Sequence, residues 1–407
     1  MTAHMKYLST VILLLILSAC TTPNRDFTAA APHNYAKAQI PDLPKIRYWG
    51  DDVAPYMHEA VDKLKMIVQT YPHTKEHIDI LALSGGGEDG AYGAGFLKGW
   101  TESGDRPVFA MVTGISTGAI IAPFAFLGSE YDDRLEEFYT KTTDEKIFDF
   151  TLLKALFGGS SLSDNQPLVD IIEREITDEI VEAIAQESRK GRFLQIGTTN
   201  LDAQRPMIWD IGRIAESGHP KATQLIRDII TASAAIPGVF PPVLFEVEVD
   251  GKKFQELHVD GGVTHQIFVY PRKLNVRGLE EYMNAYPKKN FWLIRNTKIA
   301  PEYSSTEMDI ASLSGRSIST LIKYQGWGDL ISIEDIAHRD GFNFNLTTVP
   351  EGFSAPINGI FDPAYMSALF EVGYQQGRSG YAWQTSLTDE KSFKILEAEE
   401  KKNRLNE

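Results

Sequence analysis

The sequence lacks the marks of several common protein classes. Its 407 residues include a single cysteine, Cys20, so the chain cannot form an internal disulfide. The net charge is −15 and no dense Lys/Arg cluster occurs, which argues against a nucleic-acid partner and against electrostatic docking onto anionic lipid. Beyond the N-terminus no apolar stretch is long enough to span a bilayer, and no repeat of about 20–50 residues is visible.

The N-terminus has the pattern of an export signal. Lys6 precedes YLSTVILLLILSA, an apolar run that is shorter than the roughly 20 residues of a transmembrane helix. The run ends in LSAC, which resembles the bacterial lipobox, whose cysteine becomes the lipidated first residue of the mature protein. We therefore expect a signal peptide over residues 1–19, lipidation at Cys20 and an exported, lipid-anchored envelope protein. Thr21 is consistent with outer-membrane sorting in a Gram-negative cell, and an ordinary signal peptide with an incidental cysteine is the alternative.

The rest of the chain divides by composition and periodicity. Residues 20–45 are rich in Ala, Pro, Thr and Asn, which predicts a flexible tether. Apolar residues at helical spacing predict an amphipathic helix in an N-terminal segment, 46–77. Residues 78–272 alternate between strand-like and helix-like segments with short links, which is typical of a parallel α/β sheet. We expect a mostly helical extension packed on the same domain over 273–388, and a charged tail over 389–407.

A glycine-rich stretch, SGGGEDGAYGAG, follows the first buried strand candidate. Gly85, Gly87 and Gly90 fit the G-x-G-x-x-G pattern of a dinucleotide site between a strand and a helix. However, Glu88 and Asp89 would compete with a pyrophosphate for the N–H groups at the helix start. An oxyanion hole needs only a few converging N–H groups. An oxyanion loop, a nucleotide site and a tight packing turn are the three interpretations of this stretch alone.

A candidate nucleophile lies thirty residues further on. Ser116 is the centre of a G-x-S-x-G motif, with Gly114 and Gly118 on either side, after a predicted strand and before a predicted helix. This is the context of a nucleophile elbow, in which a serine projects from a sharp turn. The glycine loop and this serine would both lie at the carboxyl edge of one parallel sheet, where ligands of open α/β folds bind.

The candidate base is an aspartate in the segment HVDGGV. Asp260 ends a predicted strand and precedes Gly261 and Gly262, which would let its carboxylate approach a hydroxyl closely. An ordinary Asp-Gly turn is the alternative. His258 would share a strand face with Asp260, and we predict that it is structural. In the order of an α/β-hydrolase triad, His338 is another candidate base.

Four motifs in this order, SGGGEDGAYGAG, GISTG, TASAAIPGVFPPV and HVDGGV, resemble the patatin-like phospholipase family over roughly residues 78–272. The resemblance implies a three-layer α/β sandwich, with a mainly parallel central sheet flanked by helices, and a Ser–Asp dyad without a catalytic histidine. It makes Ser116 the nucleophile and Asp260 the general base, and it implies no cofactor and no metal. The oxyanion hole would be formed by the N–H groups around Gly85, Gly86 and Gly87. The third motif would form a wall of the site, with Pro237 ending a helix and no role for Ser233.

The sequence departs from the family pattern at one position. The family usually carries Arg or Lys before the fourth glycine of the glycine motif, and this chain has Asp89. A carboxylate cannot contact a phosphate favourably without a cation between them, so this position argues against a phospholipid preference but not against acyl chemistry. The sequence predicts hydrolysis of lipid acyl esters, of the phospholipase A or lysophospholipase type. The alternatives are a carboxylesterase or thioesterase with a histidine-containing triad, and a non-catalytic lipid-binding lipoprotein.

Overall fold

The computed structural model describes residues 25–71, 76–141, 166–283, 285–357, 361–381 and 383–387. The predicted signal peptide, Cys20 and the predicted charged tail lie outside the described residues.

The described elements alternate between strands and helices along the middle of the chain. The strands are β1 (Arg47–Trp49), β2 (His77–Leu83), β3 (Met111–Gly114), β4 (Phe193–Asn200), β5 (Arg205–Asp210), β6 (Val243–Val249), β7 (Lys252–Asp260), β8 (Lys288–Arg295) and β9 (Phe342–Thr348). The helices are α1 (Met57–Thr70), α2 (Gly90–Ser103), α3 (Thr117–Leu127), α4 (Asp132–Glu136), α5 (Gln166–Glu175), α6 (Asp178–Arg189), α7 (Ile211–Glu216), α8 (Ala222–Ser233), α9 (Val276–Met283), α10 (Ile310–Asp340) and α11 (Pro363–Arg378).

One sheet contains these strands, in the order β1-β5-β4-β3-β2-β8-β9. Within this order, the five adjacent strands β4, β3, β2, β8 and β9 are parallel to one another. The pairs β1–β5 and β5–β4 are antiparallel. Strands β6 and β7 form an antiparallel hairpin, and β7 also pairs antiparallel with β4. The predicted α/β fold with a mainly parallel central sheet is confirmed.

The sheet is the middle layer because its side chains alternate between two hydrophobic clusters. In β2, Leu81 and Leu83 belong to a large cluster with α2, α3, α8 and α11, whereas Ile80 and Ala82 belong to a second cluster with α10. Both clusters are buried, so the sheet is covered on both faces, as parallel sheets usually are.

The C-terminal part continues the same sheet rather than only covering it. Strand β8 pairs with β2, and β9 pairs with β8, so two strands of the predicted helical extension extend the parallel sheet. The 31-residue helix α10 packs across them. Among the helices that the structure describes, none is both long and apolar enough to cross a bilayer.

The structure differs from the predicted flexible tether where it describes that segment. Residues 25–45 lie against the β6–β7 hairpin. The Arg25 guanidinium donates a 2.9 Å hydrogen bond to Asp202, and Ala30 and Ala38 are buried beside two valines of β6. Alanine-rich composition indicated a linker, but alanine is small enough to pack against a hairpin face, and here it does.

Candidate active site

The carboxyl edge of the parallel sheet brings together segments that are far apart in sequence. The glycine loop follows β2, Ser116 follows β3 and Asn296 follows β8, and these three strands are neighbours. Asp260 reaches the same edge from the opposite direction, because β7 runs antiparallel to β4 and pairs Asp260 with Thr198. The candidate nucleophile and the candidate base therefore meet above the centre of the sheet.

Ser116 is held in a strained turn between β3 and α3. Its φ and ψ are 54° and −123°, a region that non-glycine residues seldom adopt. Its backbone N–H donates to the Ser233 hydroxyl at 3.0 Å, and that hydroxyl donates to the Gly197 carbonyl at 2.7 Å. This geometry is that of a nucleophile elbow.

The two glycines of the elbow motif occupy positions where no side chain fits. A Cβ on Gly114 would collide with the Gly118 carbonyl, and a Cβ on Gly118 would collide with the Leu83 carbonyl. The turn therefore packs directly on the end of β2, which sets Ser116 beside the glycine loop. A Cβ on Gly85 would lie 3.2 Å from the Ser116 Cβ.

Asp260 is buried, with 5% of its surface exposed, and it contacts Ser116. Burial raises the pKa of its carboxyl group to about 7, against the opposing effects of hydrogen bonds from the Gly262 N–H and from Ser116. The Gly262 N–H bond is 2.7 Å long and fixes the carboxylate at the end of β7. A carboxyl group with a pKa near neutrality is better suited to accept a proton than an ordinary aspartate.

The glycine loop presents two N–H groups rather than three. The Gly85 N–H donates to the Gln266 carbonyl at 3.0 Å, so it is already engaged. Neither Gly86 nor Gly87 donates its N–H to another described residue. Gly87 has a φ of 59°, and open space surrounds its Cα where a side chain would begin. The sequence predicts oxyanion donors at Gly85, Gly86 and Gly87, and in the structure the Gly85 N–H is bonded within the protein.

Asn296 fixes the shape of this loop. Its side-chain N–H donates to the Ser84 carbonyl at 2.8 Å, and its side-chain oxygen accepts from the Gly93 N–H at 3.1 Å. A Cβ on Gly86 would lie 2.6 Å from the Asn296 carbonyl oxygen, so the loop and the end of β8 are packed too closely for a side chain. Asn296 therefore holds the loop on both sides of Gly86.

The two histidine candidates lie apart from Ser116. His258 is fully buried; its Nδ1 lies 2.8 Å from the Thr198 hydroxyl and its Nε2 3.2 Å from the Glu256 carboxylate. Burial lowers the pKa of His258, so the ring is neutral, with Nε2–H donating to Glu256 and Nδ1 accepting from Thr198. His338 is exposed in the last turn of α10. No described histidine hydrogen-bonds Ser116.

The acids of the glycine loop bind the C-terminal part of the chain. The Tyr365 hydroxyl donates to Asp89 at 2.6 Å, and the Phe361 N–H donates to Glu88. Burial raises the pKa of Asp89 to about 7. These two carboxyls thus join the glycine loop to the start of α11.

Sequence reasoning missed three supporting residues. Ser233 holds the elbow and Asn296 holds the glycine loop. The Gln266 side-chain amide donates to the Gly262 carbonyl at 2.7 Å, and the Gln266 backbone carbonyl accepts from the Gly85 N–H. Ser233 lies inside the motif TASAAIPGVFPPV, whereas Asn296 and Gln266 carry no local signal. Among the residues that the structure describes, no three His, Cys, Asp or Glu side chains are grouped as metal ligands.

Together, the strained serine after β3, the contacting aspartate and the glycine loop form a candidate site of the serine-hydrolase type on an α/β sheet. Residues 81–271, just under half of the chain, match the family model of the patatin-like phospholipases. These residues thus form a patatin-like phospholipase domain. At the level of the family, this supports a lipid hydrolase.

Comparison with solved structures gives matches to proteins from a bacterium and from human. VipD from Legionella pneumophila is 15% identical with a TM-score of 0.34; the match covers 75% of this chain and 66% of VipD. Human GIVD cytosolic phospholipase A2 is 8% identical with a TM-score of 0.35, covering 76% of this chain and 53% of the human chain. The chain thus spans about half to two thirds of the length of these proteins. No curated protein sequence matches it.

Proposed function

We propose that this protein hydrolyses acyl esters of lipids, with Ser116 as the nucleophile and Asp260 as the general base. The observation that carries the proposal is the contact between the Ser116 side chain and a buried carboxyl group whose pKa is about 7. At neutral pH such a carboxyl group is partly ionised and can take a proton from a hydroxyl that it directly contacts.

The reaction proceeds in two steps. Asp260 accepts the hydroxyl proton as Ser116 Oγ attacks the ester carbonyl, and the Gly86 and Gly87 N–H groups stabilise the oxyanion. The C–O bond breaks, the alcohol leaves with the proton from Asp260, and an acyl-serine remains. Asp260 then takes a proton from water as the water oxygen attacks the acyl-serine. The bond between the acyl group and Ser116 Oγ breaks, Asp260 returns the proton to Oγ, and the fatty acid leaves.

The test is release of fatty acid from lipid vesicles and from short-chain esters. Ser116→Ala and Asp260→Asn should each lower kcat/KM by about a thousandfold or more, because each removes a group that reacts. His258→Gln and His338→Gln are the matched variants for a histidine-containing triad. Full turnover in Ser116→Ala, or a loss in a histidine variant as large as that in Asp260→Asn, would overturn the proposed dyad.

A serine-reactive fluorophosphonate probe separates an enzyme from a lipid-binding protein without activity. The probe should label the wild-type chain at Ser116 and leave Ser116→Ala unlabelled, since it reacts with activated serine hydroxyls. An unlabelled wild-type protein that binds lipid vesicles would favour the non-catalytic alternative.

We also propose that the protein is anchored to the cell envelope through lipid on Cys20. The apolar run followed by LSAC supports this proposal. Incorporation of labelled palmitate into the wild-type protein, and its loss in Cys20→Ala, is the expected result. A wild-type protein that is exported without incorporating palmitate would contradict it.

A further inference from the structure

A cavity of about 200 Å³ lies beside the glycine loop, between that loop and α10. Its wall includes Ser84 and Asp89 from the loop, Gln266, and Arg295 at the end of β8. Ser84 directly precedes Gly85, the residue that packs on the Ser116 Cβ. The cavity therefore adjoins the candidate active site.

Arg295 is a buried cation whose hydrogen-bonding capacity is not filled. Only 4% of its surface is exposed. Nε donates to the Thr297 hydroxyl at 2.9 Å, and Nη2 lies 3.4 Å from the Lys323 carbonyl. Nη1 is buried without a hydrogen-bond partner among the described residues. An unfilled donor on a buried charge is costly, and a bound anion would offset this cost.

No carboxylate of the described residues forms a salt bridge with Arg295. Asp329 is near enough to favour the charged guanidinium, but its two oxygens accept from the Gln266 N–H at 2.6 Å and from His265 Nδ1 at 3.0 Å. Burial lowers the pKa of Arg295 to about 10, so the guanidinium remains charged at neutral pH.

The other charges at the cavity are already matched. Glu302 pairs with Lys323 at 3.0 Å and with Lys298 at 3.3 Å. Asp89, whose carboxyl pKa is about 7, accepts from the Tyr365 hydroxyl and is partly neutral at physiological pH. Among the charged side chains that line this cavity, Arg295 thus has the hydrogen-bond donor, Nη1, that a ligand would fill.

We propose that the cavity binds the phosphate group of a phospholipid substrate, with Arg295 Nη1 donating to a phosphate oxygen. This inference rests on the proposed function and adds the class of head group. A planar guanidinium matches phosphate oxygens well, and its charge strengthens the hydrogen bond. Asp89 and Arg295 line the same cavity, the first from the glycine loop and the second from β8.

The experiment compares a phospholipid with a neutral lipid that carries the same acyl chains. The full chain is assayed on phosphatidylglycerol and on diacylglycerol in micelles of a non-ionic detergent, and the ratio of the two kcat/KM values is the readout. Arg295→Met should lower this ratio by about tenfold or more, because only the phospholipid loses a contact. Arg272→Met removes an exposed arginine outside the cavity and should leave the ratio unchanged.

A ratio in folded Arg295→Met within about twofold of the wild-type ratio would overturn the inference. If Arg295→Met does not fold, Gly326→Ala provides the second test. A Cβ there would lie 3.2 Å from Nη2 and 3.3 Å from Nη1, so it would press on the guanidinium without removing it. Gly326→Ala should lower the ratio in the same direction, and an unchanged ratio in this variant would count against the site.

Binding of inorganic phosphate and of glycerol 3-phosphate to the Ser116→Ala protein, measured by calorimetry, separates the possible outcomes. If both compounds bind, and if adding Arg295→Met weakens their binding at least about tenfold, the site is supported. This holds even if the protein hydrolyses no ester, because the absence of hydrolysis would refute only the proposed function. Binding of inorganic phosphate that depends on Arg295, with an unchanged lipid ratio, would make this a site for free phosphate and overturn the head-group assignment. No binding of either compound would overturn the site itself.

Discussion

At the scale of the single residue, the environment of Asp260 decides whether a dyad without histidine is chemically reasonable. An aspartate at its ordinary pKa of about 3.9 is a weak base for a serine hydroxyl. Burial at the end of β7 raises this pKa to about 7. With this pKa, Asp260 can accept a proton near neutral pH, as the proposed Ser–Asp dyad requires.

The first prediction is a pH profile. We expect kcat/KM on a short-chain ester to rise with pH and to level off above a midpoint near 7, because Asp260 must be ionised to accept the proton. Ester hydrolysis between pH 4 and 9 measures this, and an exposed carboxyl variant, Asp335→Asn, is the control that should keep the profile. A midpoint near 4 would show that burial does not tune this group.

The second prediction concerns Ser233, which holds the Ser116 N–H. Ser233→Ala removes the acceptor of that N–H and should lower kcat by about tenfold to a hundredfold with KM little changed, since the strained elbow loses its support. Ser188→Ala is the matched control, because Ser188 is a buried serine outside the site. Equal kcat in the two variants would mean that Ser233 has no positioning role.

At the scale of the element, the position of the glycine loop depends on how closely α2 and α11 pack. Gly95 and Gly99 of α2 face Gly373 and Gly377 of α11, and a Cβ on any of them would collide with a backbone carbonyl of the other helix. The helices therefore meet backbone to backbone. Because α2 begins at the end of the glycine loop, this contact anchors the loop from its far side.

The third prediction tests this contact. Gly373→Ala should lower the free energy of unfolding by about 1–3 kcal/mol, because the added methyl collides with the Tyr92 carbonyl. Gly328→Ala is the matched control in α10, where the Cβ meets no atom within 4 Å, and it should stabilise the protein by roughly 0.5–1 kcal/mol. Urea unfolding measures both. A stabilising Gly373→Ala would contradict the close packing.

Element order also explains what the sequence could predict. Ser116 and Asp260 were predicted because each lies in a local motif that gives it a turn of known shape. Arg295 ends β8 and Asn296 follows it, about 200 residues after the glycine loop in the chain, and they reach that loop only because β8 pairs with β2. No local pattern encodes that pairing, nor the antiparallel direction of β7 that brings Asp260 to the edge.

At the scale of the whole molecule, two groups of buried carboxyls act on stability in opposite pH ranges. Glu256 is buried, but the charge of Arg47 and the hydrogen bond from His258 lower its pKa to about 2. It contributes stability above the ordinary pKa of glutamate, and this contribution is lost as the pH falls toward 2. Asp260 and Asp89 have raised pKa values, so their contributions are complete in acid and are lost as the pH rises through 7.

The fourth prediction follows from these opposite signs. The free energy of unfolding should be greatest in mildly acidic solution, and at pH 8 it should fall below its value at pH 5 by on the order of 2 kcal/mol for Asp260 alone. Asp260→Asn cannot ionise, so it should lose less stability than the wild-type protein between pH 5 and pH 8. Asp335→Asn, exposed on α10, should retain the wild-type dependence of the free energy of unfolding on pH.

Chemical denaturation at several pH values tests this prediction. A parallel decline in Asp260→Asn and in the wild-type protein would show that ionisation of the buried carboxyl group does not limit stability. If the prediction holds, the ionised carboxyl that catalysis needs is the state that the fold stabilises least, so activity and stability have different pH optima.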